Sequence, residues 1–140
     1  MQDFLGYIEG MWRIERVIQS GGMFFGQGTF TRNGDAMAYH EIGDLTLDNG
    51  AVIGGAEKRY LYQLEAGSIS VYFDDGVDKG KKFHSLEFIS PTKAVASYPC
   101  GDDFYETTYA FDLPERFSIT HKVTGKKKSY VSESTYFKLP

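Results

Sequence analysis

Charged and hydrogen-bonding side chains recur in this sequence at positions where alternating strands would bury them. In residues 12–18, Trp12, Ile14, Arg16 and Ile18 fall on one face, opposite Arg13, Glu15 and Gln19. The apolar face must be the core face, so Arg16 is carried inward with it. In residues 37–43, Met37, Tyr39 and Glu41 keep step, opposite Ala38, His40 and Ile42. His84 keeps step with Leu86 and Phe88, and His121 with Phe117, Ile119 and Val123. Asp103, Tyr105 and Tyr109 share a face of a further run. Lys128, Tyr130 and Tyr136 share another, opposite Val131, Thr135, Phe137 and Leu139, and either face can be the inner one. Arg59 and Tyr60 point to opposite sides, and either can be placed inside.

A guanidinium or carboxylate buried without a partner costs several kcal/mol. These groups must therefore pair with one another, keep water, or face a wet cavity. Arg16 has three possible roles: stacking on Trp12, pairing with Glu41, or meeting a ligand. Glu41 is its natural carboxylate partner. The candidate binding set is Arg16, Tyr39, Glu41, Arg59, His84, Asp103, Tyr105, Lys128 and Tyr130. It suits a small, partly apolar molecule with one anionic or carbonyl-like group. The same residues could serve an enzyme, with His84 or Glu41 as general base and Arg16 or Arg59 stabilising an oxyanion. No histidine or cysteine cluster has metal-ligand spacing, and no glycine-rich loop precedes a helix. No Ser-His-Asp set stands out among the many serines.

The elements that must position these residues are strands. Turn signals recur every eight to fifteen residues, among them Ser20-Gly21-Gly22, Asn33-Gly34-Asp35, Asp48-Asn49-Gly50, Asp75-Gly76 and Leu113-Pro114-Glu115. Runs rich in Val, Ile, Thr, Tyr and Phe lie between them. This predicts nine or ten antiparallel strands with short connections, and no long helical period interrupts them. Residues 2–8 predict one helical turn, with Asp3 as N-cap and Phe4, Leu5 and Ile8 on its apolar face. So many strands in 140 residues either stack as a sandwich or close as a barrel. A barrel with a polar-lined interior accommodates the inward charges better than a packed sandwich, so an all-β up-and-down barrel in a single domain is expected.

Composition narrows the partners. The net charge of −4 argues against nucleic acid or an anionic membrane. The run Lys126-Lys127-Lys128 follows Gly125 and reads as a turn. No stretch approaches the roughly 20 apolar residues of a membrane-spanning helix. The N-terminal residues have neither the basic start nor the apolar run of a signal peptide, so a cytoplasmic location is expected. Cys100 is the sole cysteine, placed between Pro99 and Gly101 and followed by two aspartates, and it reads as a small buried hydrophobe. No cofactor or oligomeric state is assigned from these features.

Gly10-x-Trp12 at the start of the first strand, after a short helical turn, resembles the lipocalin and calycin superfamily. There the tryptophan closes one end of an antiparallel barrel, and a basic residue from that end often packs across its ring. The series GMWRIER (10–16), GQGTF (26–30), AYHEIGDL (38–45), KRYLY (58–62), FDDG (73–76), KFHSLEF (82–88), CGDDFYETTYAF (100–111), VTGKKKSY (123–130) and STYF (134–137) is similar to an uncharacterised lipocalin-like domain family of unknown function, found mainly in bacteria. The chain departs from that pattern at Tyr98, where histidine is expected, and at Lys126, where proline is expected. The resemblance implies a calycin barrel and no particular activity. Fatty-acid-binding and nitrobindin-like barrels share the pattern, and the latter would imply haem binding through His84 or His121.

Overall fold

A computed structural model describes residues 3–19, 21–112, 114–126 and 129–140. Among them, ten strands close into one antiparallel barrel, each paired to its neighbours in sequence and the last paired to the first. In chain order these are β1 (Gly10–Ile18), β2 (Gly22–Asn33), β3 (Ala36–Thr46), β4 (Val52–Glu65), β5 (Ser68–Phe73), β6 (Lys82–Ser90), β7 (Lys93–Cys100), β8 (Asp103–Asp112), β9 (Arg116–Thr124) and β10 (Ser129–Lys138). A short helix, α1 (Phe4–Ile8), precedes them. It is no membrane span, and no other described helix is long and apolar enough to cross a membrane.

The helix closes one end of the barrel. The Asp3 carboxylate accepts from the Gly6 amide at 3.0 Å and caps it. Phe4, Leu5 and Ile8 are buried. Phe4 enters a cluster of rings formed by Tyr62, Phe88, Tyr109 and Phe111. Trp12 is fully buried beside it, edge-on to Phe117 at 4.6 Å, and its Nε1 donates to the Ile8 carbonyl at 2.8 Å. That bond ties strand to helix and satisfies the indole N–H.

The cation over Trp12 is Lys138, not Arg16. Its Nζ lies 4.7 Å from the ring and donates to the Glu9 carbonyl at 2.6 Å. Gly10 makes this possible. Its φ is +121°, and a Cβ there would stand 2.7 Å from the Lys138 Nζ. The Gly-x-Trp spacing thus has a physical basis: the glycine opens the space from which the lysine reaches the ring.

Register decides the inner faces. In β1, Trp12, Ile14 and Arg16 point inward; in β3, Met37, Tyr39 and Glu41; in β9, Phe117, Ile119 and Val123. In β10 the even positions are inside, with Ser132, Ser134 and Tyr136 buried. In β4 the even positions are inside too, so Arg59 lies on the outer wall. In β6 strict alternation fails. Val71 pairs with His84 but Tyr72 pairs with Lys82, so Phe83 is an extra residue on β6. Phe83 and His84 are consequently both buried. Lys128 lies outside the described residues, as do parts of the Lys126–Lys128 run and of the turns at Ser20 and Leu113.

Candidate ligand-binding cavity

The half of the barrel nearest α1 is filled by aromatic rings. The other half holds a cavity of about 320 Å³. Tyr39, Tyr62, Tyr109 and Tyr136 form its floor. Val71, Ile119 and Val123 supply apolar wall, and Lys58, Tyr60, Tyr105 and Tyr130 stand toward the end away from the helix.

Arg16 and Glu41 form the polar centre of this cavity. Arg16 Nη1 donates to Glu41 Oε2 at 2.7 Å and Nη2 to Oε1 at 2.8 Å, while Nε donates to Ser134 Oγ at 2.6 Å. The guanidinium lies 4.8 Å from the centre of the Phe24 ring. That ring occupies space left by Gly26 and Gly43, which pair across β2 and β3. A Cβ on either would meet Phe24 Cζ, at 2.7 Å from Gly26 and 2.8 Å from Gly43, and also a backbone carbonyl. The fork is therefore held on three sides, and only 17% of the side chain is exposed.

The Tyr39 hydroxyl donates to Glu41 Oε1 and lies 3.1 Å from the Tyr136 hydroxyl. Burial alone would raise the Glu41 pKa, but the bonds and charge of Arg16, then Tyr39 and Lys58, bring it below the ordinary value. Burial likewise opposes the charge on Arg16, and Glu41 outweighs it and raises the pKa. The pair is thus fully ionised and mutually neutralised. Tyr39 is held protonated by burial and by Tyr136 and Glu41, and Tyr136 is pushed up to about 12 by burial and Glu41.

A second hydroxyl pair, Tyr62 and Tyr109, is joined at 2.8 Å. One of its two protons makes that bond and the other is left to donate. The Tyr60 hydroxyl has no hydrogen-bond partner among the described residues. Its pKa is raised, chiefly by burial. Lys58 follows Glu41 in the β3–β4 register, and its Nζ lies 5.6 Å from the Tyr60 ring. Among the described residues it has no carboxylate within ion-pair distance, so it is the lining cation left unneutralised.

The histidines differ. His121 lines the cavity, and its Nδ1 lies 2.8 Å from Thr107 Oγ1. Burial, then the charges of Arg16 and Lys58, bring its pKa down to about 4, so the ring is neutral. His84 does not line this cavity. It stacks behind Phe83 with ring centres 4.0 Å apart, and burial and His121 bring its pKa down to about 3.

The residues read from the sequence are thus only partly brought together. Arg16, Tyr39, Glu41, Tyr105 and Tyr130 line one cavity. Arg59 does not, because register turns it outward to Glu57 at 3.2 Å. His84 is screened by Phe83. Asp103 shares the face of Tyr105 but sits a step beyond the lining residues. The anion-binding role considered for Arg16 is taken by Glu41, and stacking on Trp12 is taken by Lys138. Lys58, Tyr60, Tyr62, Tyr109, His121, Ser132 and Tyr136 are polar lining residues missing from the sequence-derived set. The even-numbered parity of residues 58–62 signalled three of them, masked by the charged run Glu57-Lys58-Arg59.

Chemically, the arrangement offers hydrogen-bond donors and, among the described residues, one cation without an ion-pair partner, set among aromatic walls. Neither general base read from the sequence is free in this cavity: Glu41 is committed to Arg16 and Tyr39, and His84 is screened by Phe83. Among the described residues, no three metal-ligating side chains come together.

Two solved barrels have similar folds. EF1p2_mFAP2b, solved bound to DFHBI, is 14% identical, with 99% of each chain covered and a TM-score of 0.53. A fluorescence-activating β-barrel designed de novo is 13% identical, with 99% of this chain and 100% of that one covered and a TM-score of 0.51. At that identity the likeness is one of fold. No curated protein matches the sequence. The family model that does match spans residues 8–138, nearly the whole barrel, and the chain belongs to that family, the family of unknown function DUF6314.

Proposed function

We propose that this barrel binds a small, largely apolar and flat molecule carrying one anionic or acceptor group. The observation that carries this reading is the cavity itself. Its walls are aromatic and aliphatic, while among the described residues the Lys58 ammonium has no ion-pair partner and the Tyr60 hydroxyl no hydrogen-bond partner. Cavities of this size, mostly apolar with a few convergent polar groups, are the usual form of small-molecule sites. The Arg16–Glu41 pair is a neutral, rigid part of the wall. It sets the positions of Tyr39 and Tyr136 and leaves recognition of charge to Lys58. A barrel of similar fold bound to DFHBI is compatible with an occupant of this kind.

The test uses two fluorescent probes: anionic 1-anilinonaphthalene-8-sulfonate and its uncharged relative N-phenyl-1-naphthylamine. One equivalent of the sulfonate should bind with an enhanced, blue-shifted emission. Lys58→Met should weaken the sulfonate about tenfold, the equivalent of about 1.4 kcal/mol, and weaken the uncharged probe less. Mass spectrometry of the natively purified protein should find a bound small molecule. Failure of both probes to bind stoichiometrically would overturn the reading.

A further inference from the structure

The ladder that joins β6 to β7 is short. Their pairing runs from Ser90↔Lys93 to Glu87↔Val95 and stops there. β6 nevertheless begins at Lys82 and β7 continues to Cys100, so residues 82–86 and 96–100 run side by side without register. Two local features account for this. The extra residue Phe83 rotates the start of β6, and Pro99 has no N–H to offer a neighbouring strand.

An open groove of about 630 Å³ lies along this unpaired stretch. It is lined from both sides of the wall. Ser85 and Ser97 belong to the outer face, while Phe83, His84 and Ala96 belong to the inner one. Phe83 also lines the barrel cavity, so its ring is the partition between the two spaces. His84 is only 4% exposed, and neither ring nitrogen has a hydrogen-bond partner. A buried donor and acceptor left without partners is costly, and it calls for a polar group in the adjoining space.

We propose that small molecules reach the barrel cavity through this gap in the β6–β7 ladder. Phe83 swings to admit them, and His84 contacts a neutral hydroxyl, amide or carbonyl group on the way. The neutral imidazole offers one donor and one acceptor, which suits such groups. The proposal rests on the reading that the cavity receives a small molecule, but it concerns the route alone.

The route is tested without a bound ligand. In a Cys100→Ser background, Ile119→Cys places a thiol on the cavity wall, two strands from the gap. Its labelling by benzyl methanethiosulfonate is timed. Ser97→Trp or Ser85→Trp, each filling the gap from its outer rim, should slow labelling at least tenfold. Phe83→Ala should accelerate it. Circular dichroism identifies which of the two tryptophan variants folds, and either suffices. Labelling within twofold in the blocked and unblocked proteins would mean access by the open end, and would overturn the proposal. Labelling that occurs only as fast as global unfolding would overturn it as well. Labelling that follows the gap in a protein that binds neither fluorescent probe would sustain the route and refute the functional reading.

Discussion

At the scale of single residues, the barrel contrasts a buried cation with an exposed one at the open end of the cavity. Arg16 is bound by three hydrogen bonds and supported by an aromatic face, so its charge is spent within the protein. Lys58 sits across the β3–β4 ladder from the same carboxylate and keeps its charge available. Removing one member of a buried pair strands the other, at a typical cost of about 3–5 kcal/mol. Arg16→Met and Glu41→Gln should each destabilise on that order. The double variant should cost much less than the sum, because no lone charge remains. Urea denaturation of the four proteins measures the coupling, and additive losses would show that the pair is not a unit. At the closed end, Trp12→Ala should cost about 3–5 kcal/mol, as for other large core aromatics. Lys138→Met should cost only about 0.5–1 kcal/mol. Wild-type tryptophan emission at the wavelength of free indole in water would contradict the burial of Trp12.

At the scale of elements, the pairing of β2 with β3 shows how backbone serves the site. Gly26 faces Gly43, and the missing side chains admit the Phe24 ring on which Arg16 rests. Gly26→Ala would drive a methyl into Phe24 and the Ile42 carbonyl. Overpacking of this kind costs about 1–3 kcal/mol. The expected result is a loss of stability in that range with displacement of Arg16, visible as altered Arg16 Nε–H signals in NMR. An unchanged side-chain signal would separate Phe24 from the positioning of Arg16. The β6 bulge acts at the same scale, since one additional residue brings both Phe83 and His84 inside.

At the scale of the whole molecule, two buried histidines link stability to pH. In the barrel His84 and His121 titrate near 3 and 4, against 6.5 for a free side chain. Between these limits the unfolded chain binds more protons than the folded one, so stability rises with pH. It should therefore be fully developed above about pH 7 and fall as the solution is acidified through 6.5 toward 4. Glu41, with its lowered pKa, adds a further loss in the same direction at still lower pH. From pH 7.5 to pH 5.0 each buried histidine should remove about 2 kcal/mol, at about 1.4 kcal/mol per unit. Urea midpoints at the two pH values measure the loss, and it should be about halved in His84→Gln. A pH-independent midpoint in this range would mean that both rings are hydrated.

The barrel, the short N-terminal helix and the inward course of Arg16 and Glu41 were legible in the sequence. All three follow from local physics: turn residues at short intervals, alternation with a period of two, and the cost of an unpaired buried charge. The sequence also marked Gly10 and Trp12 as a pair, but not the reason for their spacing. Lys138 comes from the other end of the chain, and only closure of β10 on β1 brings it over the ring. The tertiary structure likewise decided that Arg59 points outward and that His84 stands behind Phe83. A shift of register by one residue inverts every side chain that follows, and neither the inner parity of β4 nor the bulge in β6 is written in a local pattern. The incomplete ladder between β6 and β7 belongs to the same class, because pairing is a property of two strands and not of either alone.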